Sequence, residues 1–317
     1  MSEADDVREI QELQRRLQAG EVTAGVRRLL AILARARKAI LGEIAGTEWS
    51  RQKLATLQIA IDRELARFRQ AALTNLTADE AASFSAGAQA VAGVGEAMGV
   101  GVKFLDLPVS LLQAMQQEAG ARLRSLTDDA RRRIDEVITT ALLTGRPRHE
   151  AIEELGRVLD VSGGRGVFET VARRAAFIYQ HEVGAVYARA QEYRRRQIAQ
   201  YVPDLQQVWG HCGAPKEPRP GHVAMHGQVR DMDELFLNPV TGVELAYPRD
   251  PAAPISETAN CGCAVFTYRR EYGDPRAYAC SGKFRRTPGG PSHLTREEDQ
   301  FNPFGLVDPS IPVLKGR

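Results

Sequence analysis

YRRRQIAQYVPDLQQVW, residues 193–209, is the stretch in which the chain changes its period. Before Pro203, apolar residues recur three and four apart between charged ones, the spacing of one helix face. After Pro203 the repeat shortens to two, and Pro and Gly turns break the chain into short pieces. That switch predicts an α+β protein. A mainly α-helical, extended N-terminal region precedes a small C-terminal α/β domain with short antiparallel strands and an extended tail.

Toward the N-terminus, residues 167–200 read as one long helix with Phe168, Val171, Ala175, Ile178, Val183 and Val186 inward. Arg194, Arg195 and Arg196 read as its solvated end, favourably placed against the helix dipole. Gly163 and Gly164 break the chain ahead of it. Pro147 opens a helix to Leu159 from its first turn. Thr127 reads as the cap of a helix through Leu143, separate from a helix over 110–126. Thr77 with Glu80 is a capping-box pattern that would start a short helix after a run over 50–73. Leu13, Leu17, Val26, Leu29, Leu33, Ile40 and Ile44 mark a first helical run, interrupted at Gly20. The glycine-rich segment 83–104 has two readings, a helix packed closely on a neighbour or a loop or hinge; the hinge is preferred, because glycine weakens an isolated helix by about 1 kcal/mol against alanine.

Toward the C-terminus, 205–209, 228–230, 235–237, 243–247 and 264–268 read as strands, with 238–242 a hairpin-like turn. From Tyr272 on, Pro, Gly, Arg and Asp dominate, which predicts an extended or flexible tail. The expected organisation is a helical arm over 1–165, a module over 166–271 made of the long helix and the β-rich part, and a tail over 272–317.

Composition narrows the function. Of 317 residues, 43% are hydrophobic and 26% charged, so the chain has enough apolar surface to fold. Lys and Arg number 42 against 40 Asp and Glu, a net +2, too little to coat nucleic acid by bulk charge. Four cysteines are too few for a disulfide scaffold. The charged N-terminus lacks a signal-peptide core, and 86–104 is too broken by Glu96 and Lys103 to span a membrane. The expectation is a protein kept in a reducing cytosol with free or metal-bound thiols. No P-loop, GxGxxG, GxSxG or HExxH pattern occurs.

The chemistry-bearing side chains crowd into the β-region: His211, Cys212, His222, His226, Cys261 and Cys263. His222 and His226 are four apart, so a helical turn would point both imidazoles one way. Cys261 and Cys263 are two apart, so a strand would turn both thiols to one face. Together they predict a Cys2His2 site for structural Zn2+, with Cys212 as a substitute ligand, clipping a module with little apolar area. The other reading keeps the cysteines as small buried hydrophobes and the histidines in local hydrogen bonds. Cys280 reads as a bystander. Asp231, Asp233 and Glu234 read as a solvated edge, and His149 and His181 as ordinary helix residues.

The order Trp209, Arg219-Pro220-Gly221-His222, Met225-His226-Gly227-Gln228-Val229, Phe236, Pro248-Arg249-Asp250-Pro251, Asn260-Cys261-Gly262-Cys263 resembles the phage Mu F-like minor head protein family, also called phage head morphogenesis proteins. The likeness is close over about sixty residues and looser in the helix before them. Gly262 departs from it, since that family carries Arg between the two cysteines. The resemblance implies a structural, non-enzymatic component of a tailed-phage or prophage head, assembled in the bacterial cytoplasm and placed in the virion near the portal vertex. It implies portal protein and major capsid or scaffold protein as partners, and a role in head assembly, DNA packaging or delivery. The tail, mildly basic, would touch packaged DNA, and no membrane is involved. Two other functions fit the residues: a zinc-dependent nuclease or hydrolase with His222 or His226 as base, and a metal-free adaptor for peptide or nucleic acid.

Overall fold

Five helices account for most of the chain in the computed structural model, which describes residues 3–47, 53–101, 104, 106–159, 171–212, 218–259 and 261–278. They are α1 (Glu3–Gly46), α2 (Leu54–Ala97), α3 (Val109–Thr144), α4 (Arg148–Val158) and α5 (Val171–Ala199). The α+β architecture expected from the change of period is present, a long helical region followed by short antiparallel strands. The tail expected from 272 is not extended at its start, because Tyr272 and Tyr278 are buried in the core with Val208 and Phe266; the rest of it beyond 278, Cys280, the Gly163-Gly164 break, Phe168 and the 165/166 boundary lie outside the described residues.

The helices are longer than expected, and each discrepancy has a local cause. Gly20 does not interrupt α1; it is exposed, and the buried stripe Val26, Leu29, Leu33, Ile40 and Ile44 carries the helix onward. Thr77 and Thr127 start no helix. The Thr77 hydroxyl donates back to the carbonyl of Leu73, and that of Thr127 to the carbonyls of Leu123 and Arg124. This is the bond that lets threonine sit inside a helix. The preferred hinge over 83–104 is helix as far as Ala97. Its glycines serve close packing: a Cβ on Gly87 would lie 2.5 Å from the carbonyl oxygen of Tyr187 in α5. Nor are all three arginines of 194–196 solvated. Arg195 is buried and donates to the carbonyl of Val265 at 3.0 Å.

The described residues divide into two compact units that interleave the sequence. One takes 23–79 and 114–180. Its helices bury Leu57, Ile61, Leu65, Phe68, Leu123, Leu126, Ile134 and Ile138, and Arg28 grips Asp79 with two hydrogen bonds at 2.7 and 2.8 Å. Among all described residues, no helix is long and apolar enough to cross a membrane.

The other unit takes 3–22, 80–113 and 181–278 and holds the sheet. β1 (Gln206–Gly210) is central, paired antiparallel with β2 (Val229–Asp231) on one side and β5 (Ala264–Tyr268) on the other. β3 (Phe236–Leu237) and β4 (Glu244–Leu245) form a separate hairpin around the expected turn. There Asn238 Oδ1 accepts from the backbone of Val240 and Thr241. The period of two puts successive β1 residues on opposite faces. Val208 faces a core with Val7 and Val94 of the helices and Phe266, Tyr268, Tyr272 and Tyr278. Trp209 faces the other way, onto Met225, Phe236, Leu245, Cys261, Cys263 and Val265.

Candidate metal centre

The Trp209 face is where the polar constellation gathers. Trp209 pairs with Val265 in the β1–β5 register, and Cys263 and Cys261 continue the same parity backward from Val265. Both sulfurs therefore enter the face that holds the indole. His222 reaches it from a short helix, α6 (Pro220–Ala224), entered at Pro220. Gly221 allows that helix to lie on the hairpin turn, because a Cβ there would overlap the Asn238 amide at 2.1 Å. A second short helix, α7 (Ile255–Thr258), brings Glu257 behind the imidazole. Arg219 ties the two together by donating to the carbonyls of Ser256 and Ala259 at 2.5 and 2.6 Å.

His222, Cys261 and Cys263 are buried, and their ligand atoms lie within 4.8 Å of one another, a group able to hold a metal ion. His222 Nδ1 is 3.5 Å from Cys261 Sγ and 3.6 Å from Cys263 Sγ. A tetrahedral zinc ion with Zn–S near 2.3 Å and Zn–N near 2.0–2.1 Å would set such an N···S edge at about 3.6 Å. The other ring nitrogen, Nε2, lies 2.9 Å from Glu257 Oε2, and Asn238 donates to the same carboxylate oxygen at 3.0 Å. With Nε2 donating to the carboxylate, Nδ1 is the nitrogen that faces the two sulfurs and would bind a metal as the neutral ring.

Hydrogen bonding from Cys263 holds the Cys261 thiol well below its ordinary range, against the effect of burial, with His222 and Arg249 adding to it. Cys263 is pushed up by the same bond and by burial. The Trp209 indole N–H works in the opposite direction on the Cys263 thiol, pulling it down. Burial lowers His222, but Cys261 and Glu257 outweigh it and the net shift is upward.

Two of the expected ligands stand elsewhere. His226 is outside the buried group: its Nδ1 accepts from the His211 backbone at 3.3 Å and its Nε2 lies 3.1 Å from the Arg276 carbonyl. The spacing of four fails because α6 ends at Ala224 and the turn after it redirects the second imidazole. Cys212, the substitute ligand, is disulfide-bonded and packs in the opposite core with Val208 and Phe266. That disulfide also corrects the expectation that the thiols are all free or metal-bound. Cys261 and Cys263 are free.

Sequence reasoning missed Glu257 and Arg249. Glu257 carried no signal, being one acidic residue in a surface-like turn. Arg249 sits in the 248–251 stretch with a left-handed backbone, φ 64°, and its charge acts on both sulfurs. Asp250 in the same stretch accepts from the backbone of Ala246 and Ala252, both at 3.0 Å, and so folds the loop. Asp231, Asp233 and Glu234 are exposed.

No family model and no solved structure matches the chain. An uncharacterized protein, YqbB of Bacillus subtilis strain 168, is 31% identical over 81 residues. That stretch is 25% of this chain and 27% of YqbB, so the chain spans about a quarter of the length of the curated relative it matches.

Proposed function

We propose that the chain is a structural minor head protein of a tailed bacteriophage or prophage, assembled in the host cytoplasm and carried in the virion near the portal vertex. The ion of its C-terminal module is structural Zn2+. The observation that carries this reading is convergence. Trp209, Arg219, His222, Phe236, Asp250, Cys261 and Cys263 carry the sequence resemblance, and they meet at one buried centre or brace the loops around it. Thiolates and a neutral imidazole favour zinc over the hard cations. A metal buried among Trp209, Phe236 and Leu245 would lock loops that the small hairpin and three-stranded sheet hold weakly by themselves. The helices would then supply surfaces for portal protein and for major capsid or scaffold protein, and the C-terminal tail would contact packaged DNA.

The test is to purify particles of a phage or induced prophage that encodes the chain and image the portal vertex by cryo-microscopy. Density for the chain at the vertex in a few copies is expected. Its absence from particles, with normal heads in a deletion strain, overturns the assignment.

A further inference from the structure

We propose that His211 is the fourth ligand of the metal centre, so that the ion is held by His211, His222, Cys261 and Cys263 in a closed tetrahedral site. The inference rests on the zinc reading above and goes beyond it by fixing which side chain closes the shell.

Three ligand atoms leave one corner of a tetrahedron open, and what fills it decides the chemistry. A protein side chain makes a structural site, whereas a water makes a reactive one. His226 cannot fill the corner while both of its nitrogens are in backbone hydrogen bonds. Cys212 is in a disulfide. His211 Nδ1, in contrast, lies 3.7 Å from Cys263 Sγ, close to the N···S edge of about 3.6 Å that zinc imposes. His211 therefore stands beside one of the three ligands and outside the group whose ligand atoms lie within 4.8 Å of one another, and a turn of its side chain would bring Nδ1 to the open corner.

The backbone explains why this histidine is available. His211 follows the last residue of β1, so its position is set by the strand that carries Trp209. Its backbone N–H is held by His226 Nδ1, which anchors the main chain and leaves the half-buried ring to turn about its own side-chain bonds. His226 is in this account a positioning residue. It presents His211, and Arg276 in turn fixes His226 through its carbonyl. The roles that spacing alone gave to the pair at 222 and 226 pass to 222 and 211, from two different elements.

The experiment strips the full-length chain of metal and titrates it with Co2+, then displaces Co2+ with Zn2+. Wild type is expected to bind one Co2+ with the intense visible bands of a tetrahedral ion and thiolate-to-cobalt charge transfer from two sulfurs. His211→Ala should weaken binding by more than the about 10- to 100-fold that loss of an outer partner costs, and should lose the tetrahedral spectrum. His211→Cys should restore the tetrahedral bands and raise the charge transfer from that of two thiolates to that of three. That gain is one a merely structural residue would not give. His226→Ala should keep the tetrahedral spectrum with a smaller loss of affinity. If His211→Ala keeps the wild-type spectrum, or His211→Cys adds no thiolate band, the His211 assignment is overturned and the zinc reading stands. If wild type itself binds neither Co2+ nor Zn2+, the zinc reading falls and this inference with it.

Discussion

His222 Nε2 lies 2.9 Å from Glu257 Oε2, and that one contact decides which imidazole nitrogen faces the two sulfurs. The carboxylate is held in turn by Asn238 at 3.0 Å, and it is kept below its ordinary range by its bonds to Thr241, His222 and Asn238 despite burial. Glu257→Gln keeps the shape but removes the charge behind the ring. Zinc affinity should fall by about 10-fold or more, toward the range seen when outer partners of metal-binding histidines are removed. Competition with a chromophoric chelator measures it, and an affinity equal to wild type would show that Glu257 does not orient His222 for a metal.

Removing both sulfurs should unlock the module. Cys261→Ser with Cys263→Ser leaves the fold but loses the ion, and a loss of ~3 kcal/mol would lower Tm by roughly 6–12 °C for a unit of this size. The informative control is a chelator. Wild type with chelator should melt like the double variant, and the variant should not respond to chelator. A wild-type melt indifferent to chelator would make the cysteines passive members of the Trp209 core.

Much of this was legible in the sequence because it is periodic. The change near Pro203 marks the end of α5 and the start of the sheet, and the parity of Cys261 and Cys263 places both sulfurs on the Trp209 face. What was not legible depended on tertiary partners. Thr77 and Thr127 look like caps, since a hydroxyl serves a helix start and a helix interior equally well until its acceptor is known. The glycines of α2 look like a hinge until α5 is laid against them. His226 and His211 could not be told apart by spacing, because the turn after Ala224 and the end of β1 set where each ring goes. Glu257 became visible only as a neighbour of His222.

The glycine reading separates two residues that a propensity scale treats alike. Gly20 has open space where a Cβ would go, so Gly20→Ala should stabilise the protein by roughly 0.5–1 kcal/mol. Gly87→Ala would set a methyl 2.5 Å from the Tyr187 carbonyl oxygen, a backbone atom that moves only if α2 and α5 part. It should destabilise by about 1–3 kcal/mol in spite of its better helix propensity. Chemical denaturation of both variants measures the difference. A stabilising Gly87→Ala would mean that the two helices do not approach so closely.

Glu80 lies in the interior of α2, fully buried, with neither carboxylate oxygen in a hydrogen bond. Burial first, and then the charge of Glu182, raise it from 4.5 to about 8. The folded chain therefore keeps a proton that the unfolded chain releases once pH passes 4.5. Stability from this group is fully present below 4.5 and is lost as pH rises toward about 8, at up to about 1.4 kcal/mol per pH unit. Glu80→Gln is neutral at every pH and nearly the same shape. It should match wild type at the acid end, exceed it by several kcal/mol above pH 8, and flatten the fall between. Urea melts of both proteins across that range read this directly. Parallel curves for the two would show that the Glu80 charge is compensated in the folded state, because a side chain that never ionises cannot reproduce a slope that ionisation creates.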